Sequence, residues 1–275
     1  MSTTTVPSPP ELSTLSIEIE GEIGTLTLER PKALNAISPE MIGELVLASA
    51  WLADRAPLRG LIVTGAGRAF SAGGDVTWFK GGLEDSELDL PSDVRRGADV
   101  LHQAIVDFRR IPYPVIGAIN GVAAGAGFSL ALMCDLRIAS ADAAFVCAYG
   151  RIGASPDGGM TYFLPRVVGP AKALELLLED PLMSAEQALE LGLVSRVVAA
   201  DALVDEARAE AGKLATKAPH YVRTAKRLVA QSLDNTLADH LQVERHGIAD
   251  SMATEDLREG VTAFFDGREP KFTGD

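Results

Sequence analysis

The chain has 275 residues, 47% hydrophobic and 23% charged, which supports a buried core in one domain, or a domain with an appendage, and excludes global disorder. Its formal net charge of −13 excludes a general nucleic-acid surface and requires any anionic ligand to find locally placed cations. Cys134 and Cys147 lie in apolar stretches with no CxxC pair or histidine-rich neighbourhood, so they read as buried free thiols and not as a metal site or a disulfide. A cytoplasmic protein is expected, without a membrane role: residues 1–12 have neither the apolar core of a secretory signal nor the arginines of a transit peptide, and the apolar stretch from Val122 to Cys134 is too short to span a bilayer.

In chain order, residues 1–12 read as a flexible leader. Leu15 to Glu20 and Thr25 to Glu29 alternate apolar with polar around a glycine-containing turn, Gly21 to Gly24, which predicts a hairpin. Ser38 and Pro39 followed by Ile42, Leu45, Val46, Leu52 and Ala53 predict a capped amphipathic helix. Gly60 to Thr64 is a buried strand. Lys80 to Ser92, acidic and with few core candidates, reads as a mobile loop. A helix carrying Val94, Ala98, Leu101, Ile105 and Phe108 leads through Pro112-Tyr113-Pro114 into a strand ending at Ile119, and a short helix is expected from Gly127 to Met133. Strand, helix and strand in that order imply right-handed crossovers in a largely parallel α/β arrangement.

From about residue 170 the pattern is helical. Ala171 to Leu178 is one helix, Ser184-Ala185-Glu186-Gln187 has capping-box spacing with closure at Gly192, and further helices are expected over Ala202–Leu214, Tyr221–Leu233, Leu237–Met252 and Glu255–Phe265. The organisation is thus a leader (1–12), an α/β core (13–200) and a helical region (201–275). The last looks too thin to fold alone and is expected to pack on the core or on another subunit.

Two small-residue turns carry the chemistry. Ser71-Ala72-Gly73-Gly74-Asp75 and Gly121-Val122-Ala123-Ala124-Gly125-Ala126-Gly127 each follow an apolar strand. Where side chains are absent or reduced to a methyl, a ligand can reach bare peptide N–H groups, and two of these converging on one oxygen would form an oxyanion site for carbonyl or thioester chemistry. The alternative is that both turns only let strands and helices pack closely.

Four segments in order, Leu28-Glu29-Arg30-Pro31-Lys32-Ala33-Leu34-Asn35-Ala36, Gly67-Arg68-Ala69-Phe70-Ser71-Ala72-Gly73-Gly74-Asp75, Pro114-Val115-Ile116-Gly117-Ala118-Ile119-Asn120-Gly121 and Pro156-Asp157-Gly158-Gly159, resemble the enoyl-CoA hydratase/isomerase (crotonase) family over roughly residues 15–272. The resemblance implies a crotonase-like spiral of ββα units and a helical C-terminal region that forms a homotrimer or a hexamer. It also implies an acyl-CoA thioester substrate, no cofactor beyond the coenzyme A of that substrate, and no metal. The matching oxyanion donors are the N–H groups of Gly74 and Ala126. Lys32, Ala33, Ala72, Gly73, Gly74, Asp75, Val76 and Ala126 match substrate and coenzyme A contacts. Thr77 and Gly267 stand where family members often carry lysine, and Arg268 or Lys80 are candidate replacements; Phe264 fits the tail pattern.

Family hydratases place two glutamates on one water; here those positions are Ser129 and Tyr149. A carboxylate appears at Asp157, where some family isomerases carry the acid that moves a proton between carbons. Isomerisation is therefore the favoured reading, with an atypical hydratase and a non-catalytic acyl-CoA binder as alternatives. Asp157 could also be turn or cap chemistry. Tyr149 reads either as a hydrogen-bond donor to Asp157 or substrate, or as a core tyrosine satisfied at its edge. Ser129 reads as a helix residue facing the pocket, since no histidine stands in a triad context. His102, His220, His240 and His246 read as surface or interface residues. Trp78 and Phe79 line the acyl pocket or pack ordinarily.

Overall fold

A computed structural model describes residues 8–54 and 56–275. The hairpin forms where the alternation lies: β1 (Leu15–Glu20) pairs antiparallel with β2 (Ile23–Leu28), with Glu20 opposite Ile23. The turn is therefore Gly21-Glu22 alone, shorter than the expected Gly21 to Gly24. Gly24 belongs to the strand, where a Cβ would lie 2.6 Å from Leu58 Cδ1, so this glycine serves packing. Helix α1 (Pro39–Asp54) begins as expected, with Ser38 Oγ accepting the Met41 N–H.

From β3 (Gly60–Gly65) onward one pattern repeats: a strand in a large sheet, a short strand in a small sheet, then helix. β4 (Ala69–Ser71) is followed by α2 (Val76–Glu84) and α3 (Leu90–Arg110). β5 (Val115–Ile119) and β6 (Val122–Ala124) precede α4 (Ala126–Met133). β7 (Leu136–Ser140) and β8 (Ala144–Val146) precede α5 (Met160–Val168) and α6 (Pro170–Glu179). β9 (Met183–Ser184), α7 (Ala185–Glu190) and β10 (Arg196–Val198) complete the sheets. The large sheet runs β1-β2-β3-β5-β7-β10, the small one β4-β6-β8-β9, and both are parallel except for the pairs β1 with β2 and β8 with β9. Each turn of chain adds one strand to each sheet, which makes the architecture a spiral.

Two expectations are corrected. The stretch Gly121 to Gly127 is not one turn but strand β6 followed by a turn at Gly125. The region Lys80 to Ser92 is mostly helix: Asp75 caps α2, Asp89 caps α3, and only residues 85–89 connect them. Gly81-Gly82 weakens the helical pattern in sequence, but Gly82 is buried where a Cβ would lie 2.6 Å from Leu90 Cδ1.

The core has two layers because successive strand residues face opposite sides of the large sheet. Leu61 and Val63 join Met41, Leu45, Phe70 and Phe128 in the main cluster, whereas Ile62, Ile116 and Ile138 meet Leu203, Ala207 and Ala211 of α8 (Leu203–Ala215). Helix α8, the first of the 201–275 region, is therefore part of the core. The helices after it, α9 (Pro219–Gln231), α10 (Leu237–Ser251) and α11 (Glu255–Asp266), bury only Gly247, Asp256 and Ala263. Lys226 anchors α9, donating to the Tyr113 carbonyl at 2.8 Å and pairing with Asp135 at 2.6 Å.

At the other end, residues 1–7 of the leader lie outside the described residues, and Leu12 packs partly buried against the core. Ser13 and Thr14 are held by the Glu44 carboxylate, which accepts both backbone N–H groups at 2.7 and 2.8 Å. Among the described residues no helix is long and apolar enough to cross a membrane.

Candidate active site

The first turn is held by two asparagines. Asn35, fully buried, accepts the Arg30 N–H through Oδ1 at 2.9 Å and donates from Nδ2 to the Ala66 and Ala69 carbonyls at 2.9 and 2.8 Å. Asn120 accepts the Gly65 N–H at 3.2 Å and donates to the Gly67 and Ala69 carbonyls at 3.0 and 3.2 Å. Together they fix the β3 to β4 connection and the turn that follows it. Both lie in segments that carry the family resemblance, but no local pattern reveals this clamping role.

Beyond β4, Ile37 bridges to Gly74: Ile37 N–H donates to Gly73 O at 2.7 Å and Asp75 N–H donates to Ile37 O at 3.1 Å. A parallel bridge uses those two flanking groups and leaves the N–H of Gly74 on the opposite side. Gly73 sits at φ +92, and a Cβ on it would lie 2.7 Å from Ala124 O and 3.4 Å from Ala126 N, so the two turns touch. Ala126 is the first residue of α4, where an N–H has no intrahelical acceptor. Among the described residues neither the Gly74 nor the Ala126 N–H is assigned a protein acceptor. Every residue of α4 is buried, which places the positive end of its dipole in a dry setting. Gly127 permits this approach, since a Cβ there would lie 2.4 Å from Ser71 O.

The second group of residues converges from α4, the segment after β8 and the loop before α5. Tyr149 Oη donates to Asp157 Oδ1 at 2.8 Å and lies 3.1 Å from Ser129 Oγ. Ser129 Oγ is also 3.0 Å from the Asp157 carbonyl oxygen. Ser129 is fully buried and Tyr149 is 8% exposed. Burial, and then the Asp157 charge, push the Tyr149 hydroxyl well above its ordinary range, so it stays protonated and donates. Asp157 is half-buried, and Met160 N–H takes its carbonyl, not its carboxylate. Its side chain is therefore no helix cap; it accepts the tyrosine hydrogen bond. Next to it, Gly158 N–H donates to His102 Nε2 at 3.3 Å. His102 is exposed, as the surface reading expects, and that contact adds a hold on the peptide after Asp157.

The coenzyme-contact candidates are placed as follows. Lys32 and Ala33 are exposed on the single-turn helix Pro31–Ala33, and Val76 is exposed at the start of α2. The Asp75 carboxylate is already engaged: it accepts from Thr77 and Trp78 N–H and pairs with Arg30 at 2.9 Å. Burial raises its pKa, but the Arg30 hydrogen bond and charge outweigh this and hold it below the usual carboxylate range. Asp75 thus contributes to the turn's geometry. Arg268 does not stand free as a replacement cation, since both its Nη atoms bind Glu259 at 2.7 and 2.8 Å. Lys80 lies 3.6 Å from Glu84 on the same helix. Phe264 is 81% exposed. Phe79 flanks Gly74, where a Cβ would lie 3.2 Å from its ring, and Trp78 packs against Phe79 with centroids 5.3 Å apart. Both cysteines are buried and free; desolvation pushes Cys134 to about 12 and Cys147 to about 11, which leaves them without nucleophilic thiolate.

Fold and turn geometry together define a crotonase-type protein, and comparison with known proteins agrees. Residues 18–275 match the family model described as enoyl-CoA hydratase/isomerase. The chain is 39% identical to the 1,2-epoxyphenylacetyl-CoA isomerase of Escherichia coli K12 over 93% of this chain and 97% of that protein. Its structure resembles an enoyl-CoA hydratase from Polaromonas sp. JS666 with a TM-score of 0.88 and 34% identity, covering 94% of this chain and 99% of that one. An enoyl-CoA hydratase from Bacillus anthracis matches with a TM-score of 0.88 and 32% identity over 96% and 100% of the two chains. The chain belongs to the enoyl-CoA hydratase/isomerase family.

Proposed function

We propose that this protein is an enoyl-CoA isomerase that moves a double bond along an acyl-CoA through a thioester enolate. The observation that carries the reading is the Ser129, Tyr149 and Asp157 cluster: the two positions where family hydratases hold glutamates are a serine and a tyrosine, and both hydrogen-bond to the one nearby aspartate. In a β,γ-enoyl thioester the Cα–H bond breaks, its proton passes to the Asp157 carboxylate, and the electron pair delocalises onto the thioester oxygen. The Gly74 and Ala126 N–H groups receive that charge; one such donor is worth about 3 kcal/mol in the barrier. Asp157 then returns the proton to Cγ, leaving the double bond conjugated and the composition unchanged. No cofactor beyond the substrate's own coenzyme A is required.

The hydratase reading keeps support from the relatives bearing that name, and the Escherichia coli relative brings arylacetyl thioesters into the substrate range. The exposed apolar side chains of α9 to α11 favour a homotrimer or hexamer, and the two buried thiols are in keeping with a cytoplasmic setting. A panel of β,γ- and α,β-enoyl-CoA and arylacetyl-CoA esters, read by product mass and absorbance, tests the proposal. Isomerisation gives a product of unchanged mass with new conjugation. Asp157→Asn is expected to lower its rate by about 10³-fold. A gain of one water establishes the hydratase instead, and binding without turnover establishes the non-catalytic binder.

A further inference from the structure

We infer that His102 is a positioning residue for Asp157: its imidazole accepts the peptide N–H that follows Asp157 and, with Tyr149 on the carboxylate itself, sets the direction of that carboxylate. This rests on the reading of Asp157 as the proton shuttle. The Asp157-Gly158 peptide is gripped from both sides. The Asp157 carbonyl accepts from Met160 N–H at 3.0 Å and Ser129 Oγ at 3.0 Å, while Tyr149 Oη donates to the carboxylate at 2.8 Å. The Gly158 N–H ends on His102 Nε2 at 3.3 Å.

A backbone N–H can only donate, so Nε2 must present its lone pair and the ring proton must sit on Nδ1. Gly158 is buried at φ +59, with a Cβ position only 3.0 Å from Ser129 Cβ, and its N–H has no other acceptor among the described residues. Removing the imidazole acceptor would leave a buried donor unsatisfied and the peptide held from its carbonyl side alone. The residues leading into it, Gly153, Ala154 and Ser155, are exposed, with Gly153 and Ala154 N–H donating to the Gly150 and Tyr149 carbonyls at 3.3 and 3.0 Å. His102 itself stands on a firm base: its helix α3 buries Leu101, Ala104, Ile105 and Phe108. Its own side chain is exposed, so helix stability does not depend on it.

Three variants of the full chain separate positioning from a merely structural role. His102→Gln carries Oε1 four bonds from Cα, as Nε2 is, and keeps an acceptor in place. His102→Asn stops one bond short, and His102→Leu removes the acceptor. Two readouts are made: hydrogen exchange in the peptide containing Gly158, and kcat and KM for conversion of a β,γ-enoyl-CoA. His102→Leu and His102→Asn are expected to speed Gly158 exchange and lower kcat by about ten-fold with KM within about two-fold, while His102→Gln stays close to the parent in both.

An unchanged kcat in His102→Leu overturns the inference, as does a loss in His102→Gln as large as in His102→Leu. Asp157→Asn runs beside them. If it retains the parent rate, or if the parent does not isomerise, the shuttle reading is what fails. The exchange data then still report whether His102 holds Gly158.

Discussion

Asp157 and Tyr149 show how a few ångströms turn residue types into a division of labour. An aspartate after a proline and before two glycines reads as an ordinary turn, and that turn is present, with Met160 N–H donating to the Asp157 carbonyl at 3.0 Å; the carboxylate is held separately, by the Tyr149 hydroxyl at 2.8 Å. Because burial and the neighbouring charge raise the tyrosine's pKa, Tyr149 remains a donor throughout the range in which such an enzyme works. Tyr149→Phe is expected to lower kcat by about ten-fold and the thermal midpoint by a few degrees, since it leaves the buried Ser129 hydroxyl and the Asp157 carboxylate short of a partner, measured by steady-state kinetics and calorimetry. The identity of these residues was legible in the linear chain, including the lack of the hydratase glutamates. Their hydrogen bonding was not, because Ser129 and Asp157 lie 28 positions apart and only the fold juxtaposes them. Asp75 is the converse case: a residue that motif matching assigns to the substrate spends its carboxylate on capping α2 and pairing with Arg30.

Among the elements, α1 and the β1 to β2 hairpin were readable because each carries a regular period. The four strands of the small sheet were not: at two or three residues each they have no alternation to detect. Helix α1 also anchors the start of the fold through Glu44. Burial raises the Glu44 pKa, but hydrogen bonds from Thr14 and Ser13 outweigh it and bring the pKa from 4.5 down to about 2. A carboxylate with a depressed folded-state pKa stabilises fully above its unfolded value and loses that contribution as pH falls through its folded value. Glu44→Gln is therefore expected to cost about 1 kcal/mol at pH 7, discounted for the group's partial exposure. Denaturant titrations should show the gap to the parent closing between pH 4.5 and about 2.

The whole molecule leaves its C-terminal helices conspicuously apolar on the outside. Phe264 is 81% and Phe265 82% exposed, with Leu237 at 76% and Leu233 at 68%. Burial of these side chains against a second copy of the chain, the assembly proposed above, would account for their exposure. The double variant Phe264→Asp with Phe265→Asp is expected to shift the proposed trimer or hexamer toward single chains, measured by light scattering. A parent that is already a monomer at micromolar concentration would refute this.

Taken alone, the chain determined its class. Periodicity marked the hairpin and most of the helices, small residues marked the first turn and the neighbourhood of the second, and four ordered segments marked the family, because each signal is local and survives without coordinates. Tertiary structure decided the rest: that the turns meet at Gly73 and Ala126, that Ser129 and Tyr149 converge on Asp157, that α8 completes the core, and that His102 reaches Gly158. Propensity and pattern act over a few residues, whereas a site is a coincidence of distant ones, and only packing of the two sheets brings them within hydrogen-bonding distance.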